Sequence, residues 1–193
     1  MMRWRAPYCS ALLCCALFGC GSSPQVRYYT LYDVPGTAAA QAAPVTGAPI
    51  RLEPVVVAAE LDRIEFVTRV GPDRLRIADS ELWAAPLEDQ IRAILSADLA
   101  SRLPPLLIVD PNEPISSEPR RLLSVSILEF LGDQTCAVSL RVDWTLRTPG
   151  GDARRGTEQV QVPGMEPCSG APAASMSHAL GALADRLAAA IRA

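Results

Sequence analysis

The strongest pattern in the chain begins at Cys136. Val138, Leu140, Val142, Trp144 and Leu146 are apolar, while Ser139, Arg141, Asp143, Thr145 and Arg147 are polar. A period of two places each set on its own face, so this stretch predicts a half-buried strand with Cys136 at the start of its apolar face. Residues 121–132, "RLLSVSILEFLG", are apolar on both faces and predict a central strand. The stretch "TEQVQVPG" alternates again after the hairpin loop "TPGGDARRG". Nearer the start, residues 27–33 ("RYYTLYD") are aromatic and β-branched and predict a strand. Residues 50–58 predict another, with Pro54 marking an edge or a bulge. Residues 62–70 place Ile64, Phe66, Thr68 and Val70 on one face, and "GPD" turns them into a hairpin with residues 74–79. Residues 106–110 ("LLIVD") read as a short buried strand.

Two stretches follow the helical period instead. Leu87, Ile91, Ile94, Leu95, Leu99 and Leu103 fall on one stripe, and Pro104-Pro105 ends it. Either Asp79 or Ser80 caps this helix, or Pro86 marks its first turn. From about residue 173 to the end, Met176, Leu180, Leu183, Leu187 and Ile191 form a second stripe. Two amphipathic helices need a sheet to cover, and strands with one apolar face need helices. The prediction is a single α/β or α+β domain over residues 27–193, with a mixed β-sheet covered by the two helices. Residues 34–49, rich in Pro, Gly and Ala and without charge, read as a long connecting loop.

Residues 1–19 do not belong to that domain. Arg3 and Arg5 precede a largely apolar, uncharged run, which makes a secretory signal too short for a permanent transmembrane helix. It ends in Leu17-Phe18-Gly19-Cys20, which resembles the lipobox of bacterial lipoproteins. The resemblance implies a diacylglyceryl group on the sulfur of Cys20, processing there, and residues 20–26 as a lipidated tether. Gly21, where an Asp would retain such proteins in the inner membrane, implies export to the outer membrane, facing the periplasm. Past Cys20 no apolar run reaches about 18 residues.

All 18 basic residues are Arg, and loss of residues 1–19 leaves 16 basic against 21 acidic residues. A mildly acidic chain without a basic stripe argues against nucleic-acid binding. Cys136 and Cys168 are then two thiols in an oxidising compartment. Either they form a disulfide, or Cys136 is buried and Cys168 stands free in a loop.

Candidate chemistry is sparse. His178 is the only histidine, so the usual zinc sites are disfavoured, and no metal or cofactor is expected. No nucleophile elbow, phosphate-binding loop or dinucleotide fingerprint occurs. Asp62 with Glu65, and Glu88 with Asp89, are carboxylate pairs; the second suits the start of a helix, where acids complement the dipole. Trp83 and Trp144 read as packing residues. The expectation is a protein that is not an enzyme.

After the lipobox the chain shows Tyr28-Tyr29-Thr30-Leu31, then Leu61-Asp62-Arg63, then Trp83-Ala84-Ala85-Pro86-Leu87, followed by a strand pair and a terminal Ala/Leu helix. These motifs, in this order, resemble the ABC-type transport auxiliary lipoprotein family. The resemblance implies a lipid-anchored accessory component of intermembrane lipid transport, with an MCE-domain protein and ABC permease components as partners. It makes Tyr28, Tyr29, Leu31, Leu61, Asp62, Arg63, Trp83, Pro86 and Leu87 structural motif residues. A homo-oligomer would enlarge the surface offered to a ring-shaped partner. The alternative is a lipid-anchored periplasmic enzyme or small-ligand-binding protein unrelated to transport.

Overall fold

The computed structural model describes residues 25–36, 47–109, 120–165, 168 and 171–193. The signal, Cys20 and most of the expected loop at 34–49 lie outside the described residues.

Among the described residues, nine strands and two helices follow in the order β1 (Arg27–Tyr29), β2 (Ile50–Leu52), β3 (Val56–Val57), β4 (Glu65–Arg69), β5 (Leu75–Trp83), α1 (Leu87–Arg102), β6 (Ile108–Val109), β7 (Arg121–Asp133), β8 (Val138–Arg147), β9 (Arg154–Val162) and α2 (Ala173–Arg192). They form one mixed sheet centred on β7. Along one side β7 pairs antiparallel with β8 from Leu122↔Arg147 to Gly132↔Val138, and β8 pairs with β9. Its other side is shared by three short strands, all parallel to it: β2 at Ile50↔Arg121, β3 at Val56↔Ser126 and β4 at Thr68↔Gly132. β4 forms the expected hairpin with β5, whose other edge takes β1, while β6 lies beside β2.

Both helices cover one face. α2 lies over β7, β8 and β9, α1 packs toward β3 and β6, and the two helices contact each other. The apolar positions of β8 are buried beneath α2, and the Met176–Leu180–Leu183–Leu187–Ile191 stripe is buried against them. Each large aliphatic side chain removed from water in this layer contributes roughly 1.5–3 kcal/mol. The opposite face of β8 carries exposed Arg141, Asp143 and Arg147, as its alternation requires.

Several expectations need correction. The strand at 50–58 is two strands, because Pro54 cannot donate to a ladder; the amides of Glu53 and Ala58 on either side still bond the carbonyls of Leu123 and Ile127, at 2.9 and 3.0 Å. The strand at 27–33 stops at Tyr29. The second hairpin strand continues through Asp79 and Ser80 to Trp83, so neither residue caps α1; Pro86 occupies the N-cap position and no side chain caps the helix. Ile64 precedes β4 and is exposed, while Phe66 and Thr68 are buried. Of the apolar run 106–110, only Ile108 and Val109 are strand, Leu107 is exposed, and Asp110 lies outside the described residues. β9 starts at Arg154, ahead of its expected start at Thr157. Cys136 is buried but sits in the turn before β8, with φ of 58°.

Asp133 organises that turn. Its Oδ1 accepts from the Thr135 amide at 2.8 Å, the Thr135 hydroxyl at 2.7 Å and the Ala137 amide at 3.1 Å. The Thr135 hydroxyl, aided by these amides, holds the Asp133 carboxyl below its ordinary range. Asp133→Ala is expected to cost about 1–2 kcal/mol near neutral pH. A depressed folded value means that this stability is present above the unfolded carboxyl's range and is lost as pH falls through the folded value. The gap in thermal midpoint between wild type and variant should therefore close on acidification. A gap that stays constant with pH would show that the carboxylate's charge is not involved.

Candidate functional site

The segment just after β1 lies where the two helices meet. Beyond Tyr29 the backbone leaves the sheet and its polar groups are taken by side chains. The Leu31 amide donates to Gln90 Oε1 at 2.9 Å, the Tyr32 amide to Ser177 Oγ at 3.2 Å and the Val34 amide to Asp98 Oδ1 at 2.8 Å. The Val34 carbonyl accepts from Arg102 Nη1 at 2.9 Å. Gln90, Asp98 and Arg102 come from α1 and Ser177 from α2, so residues 31–36 are held by both helices. Close approach is part of the arrangement. A Cβ on Gly181 of α2 would stand 2.8 Å from Val34 Cβ, and one on Gly36 would stand 2.7 Å from Arg102 Cγ.

Arg102 is the centre of this clamp and is only 4% exposed. Its Nε donates to Asp185 Oδ1 at 2.6 Å, its Nη1 to the Asp98 carbonyl at 3.0 Å, and its Nη2 to the Gly181 carbonyl at 2.9 Å. Asp98 is fully buried, with Oδ1 3.5 Å from Arg102 Nη1 and Oδ2 without a hydrogen-bond partner among the described residues. Burial pushes the Asp98 carboxyl above its ordinary range, against the opposing pull of the Val34 amide and the Arg102 charge; the nearby Asp33 and Asp185 push it the same way as burial. Sequence reading missed this cluster. Its signal was polar residues inside the apolar stripe: Asp98 and Arg102, four apart, continue the face of Ile91 and Leu95.

The motif residues divide between packing and surface. Leu61 from one motif, and Trp83 and Leu87 from another, line one small space with Phe66, Phe130 and Met176. Trp83 stacks on Phe66 at a centroid distance of 4.3 Å, and Tyr29 meets Phe66 edge-on at 5.7 Å. Leu31 is buried, whereas Tyr28, Asp62 and Pro86 are exposed and Arg63 is half-buried. Trp144 is buried too, with Gly156 of β9 opposite its ring, where a Cβ would come within 2.9 Å.

Cys136 and Cys168 are joined as a disulfide, with their Cα atoms 5.8 Å apart. The bond ties the β7–β8 turn to the segment leading into α2. An open groove of about 500 Å³ runs beside this turn, lined by Arg69, Asp133, Ser139 and Gln161 among others. Its charged side chains are committed elsewhere: Arg69 pairs with Glu129 at 3.1 Å, and Asp133 holds the turn.

The candidate carboxylates do not converge on a site. Asp89 pairs with Arg92 at 3.2 Å on the first turns of α1. Asp62 lies in the turn before β4, and Glu65 begins that strand. His178 packs edge-on against Tyr32 at 6.2 Å. Among the described residues no group of three or more His, Cys, Asp or Glu is placed to hold a metal, and no helix is long and apolar enough to cross a membrane.

Comparison with known proteins gives this architecture relatives. Over 74 residues the chain is 34% identical to the intermembrane transport lipoprotein PqiC of Escherichia coli K12, and equally to PqiC of Shigella flexneri. The match covers 38% of this chain and 38% of each relative, so it spans well under half of their length. Among solved structures, the crystal structure of an uncharacterized protein superposes with a TM-score of 0.72 at 22% identity, covering 86% of this chain and 99% of that one. A Xanthomonas campestris protein superposes at 0.66 with 15% identity, covering 87% and 95%. At these identities the two structures establish a shared fold. The family model for the ABC-type transport auxiliary lipoprotein component matches residues 29–191, from the last residue of β1 to the last turn of α2, and the chain belongs to that family.

Proposed function

We propose that this protein is a non-enzymatic accessory component of an intermembrane lipid transport system, working with an MCE-domain protein and ABC permease components. It is held by lipid on Cys20 at the outer membrane, facing the periplasm. The observation that carries this reading is the family match over nearly the whole domain, 29–191. The partial relatives named as intermembrane transport lipoproteins support it. So does the lipobox-like Leu17-Phe18-Gly19-Cys20 at the end of an apolar leader. In this reading the domain acts by surface contact, and its polar clusters serve to hold the fold.

The test has two arms. Protein solubilised from envelopes in detergent should carry an MCE protein and permease components with it, identified by mass spectrometry. Cys20→Ser should release the protein from membranes or stop its processing, because each buried acyl methylene contributes about 0.8 kcal/mol to the anchor. Capture of no transporter component would overturn the functional reading. Unmodified Cys20 in the wild-type protein would overturn the anchor.

A further inference from the structure

The clamp holds the stretch of chain that leads directly to Cys20, and its construction differs from that of the rest of the sheet. β1 is three residues long and, among the described residues, lies at the edge of the sheet and pairs with β5 alone. After it, residues 31–36 are held by Gln90, Asp98, Arg102 and Ser177, four side chains that stay on the helices whether or not the segment is present. By contrast β7 is paired along both edges, and β8 is paired on both sides by nine-residue or longer registers. Regions with few ladder bonds, at the edge of a fold, open at lower free energy than its centre.

We propose that residues 27–36 are a releasable strap, docked between α1, α2 and β5, whose docking sets how far the domain can stand from its lipid anchor. The consequence for reach rests on the Cys20 reading given above. With the strap docked, Val26 stands six residues along the chain from Cys20, a span of at most about 20 Å. With the strap released, the next described hold on the domain is the Ala48 carbonyl, which accepts from Arg121 Nε at 3.1 Å and stands 28 residues from Cys20, so the covalent limit rises to about 95 Å. One domain then has two working distances from the membrane, a short one for rest against the leaflet and a long one for contact with a partner standing off it. Release also uncovers a ready polar groove on α1 and α2, so that the strap can redock without rebuilding the helices.

Native-state hydrogen exchange on the full-length mature protein tests this. The amides of Leu31, Tyr32 and Val34 should exchange together with those of β1, through an opening at least about 100-fold more populated than the one that frees the β7–β8 amides. Ser177→Ala, which removes the acceptor for the Tyr32 amide and leaves an alanine in a helix, should raise strap exchange roughly five- to ten-fold and leave β7–β8 unchanged. If the strap amides in the wild-type protein open only with β7–β8, or if Ser177→Ala speeds both regions equally, residues 27–36 are a fixed part of the core and the proposal fails. The wild-type measurement decides this even if the variant does not fold. Mass spectrometry of the Cys20 peptide in the same sample reads the anchor separately: a strap that opens beside an unlipidated Cys20 overturns the change in reach and not the opening.

Discussion

Arg102→Ala is expected to destabilise the protein by about 3–5 kcal/mol, the cost of removing one partner from a buried ion pair. The guanidinium is 4% exposed and donates to Asp185 and to the carbonyls of Val34, Asp98 and Gly181. Its loss leaves those carbonyls short of a donor and leaves Asp98, which has no exposure, without its cation. Asp185 is 58% exposed and returns to water at little cost. The penalty therefore comes from Asp98 and the buried carbonyls. Denaturant unfolding followed by circular dichroism should show a lower midpoint with an unchanged slope. A change below about 1 kcal/mol would show that the clamp is solvated and energetically idle.

The sign of the pH effect follows from Asp98. Its carboxyl lies above the ordinary range in the fold, so its favourable contribution is fully present below the unfolded carboxyl's range and declines as pH rises through the raised folded value. Without Arg102 that value moves further up. The variant should therefore lose additional stability relative to wild type as pH rises from acid toward neutral. Replacing both residues together, Asp98→Leu with Arg102→Leu, should cost less than the sum of the single changes, since neither charge is then stranded.

Loss of the Cys136–Cys168 bond is the second large effect. The two residues are 32 apart in sequence, and opening a loop of that length is worth roughly 3–4 kcal/mol on the chain-entropy account. The bond also fixes a closely packed turn. Cys136 has φ of 58°, a left-handed conformation unfavourable for a residue with a Cβ. The segment it is tied to packs so closely that a Cβ on Gly164 would lie within van der Waals overlap of the Thr135 carbonyl. Cys136→Ser with Cys168→Ser, or reduction of the wild type, should lower the thermal midpoint by roughly 7–15 °C for a domain of this size. Unreduced, denatured wild-type protein should resist alkylation at both positions. Equal midpoints with and without reductant would contradict a stabilising bond.

How far the sequence could be read depended on how evenly each element meets its neighbours. β8 has β7 on one side, β9 on the other, α2 on one face and solvent on the other. Its alternation is therefore clean from Val138 onward, and both it and α2 were legible, with Cys136 falling in the turn ahead of the strand. β5 was read too short because its middle, Asp79-Ser80-Glu81, is polar; the strand runs along the outer part of the sheet, where burial does not impose a pattern. The stretch 27–33 has the composition of a strand throughout, yet only three residues pair. Past them, side chains from distant helices replace the ladder, and nothing local in "TLYD" signals that exchange. The clamp itself was visible only as Asp98 and Arg102 interrupting an apolar stripe. Read alone, that pair resembles an ordinary i,i+4 surface pair; its burial depends on where α2 and residues 31–36 come to lie.

The three-way sharing of one edge of β7 also sets an order on assembly. β2, β3 and β4 each wait for a parallel partner 64 to 71 residues further along the chain. A chain delivered from its amino terminus presents residues 50–69 long before residues 121–133 arrive to cover their backbone. Such non-local parallel pairing is slow to form and leaves strand edges uncovered in the interval. The first third of the domain is therefore the part whose strand edges wait longest for their partners, and Pro54, which denies a donor to any wrong partner strand, stands in the middle of it.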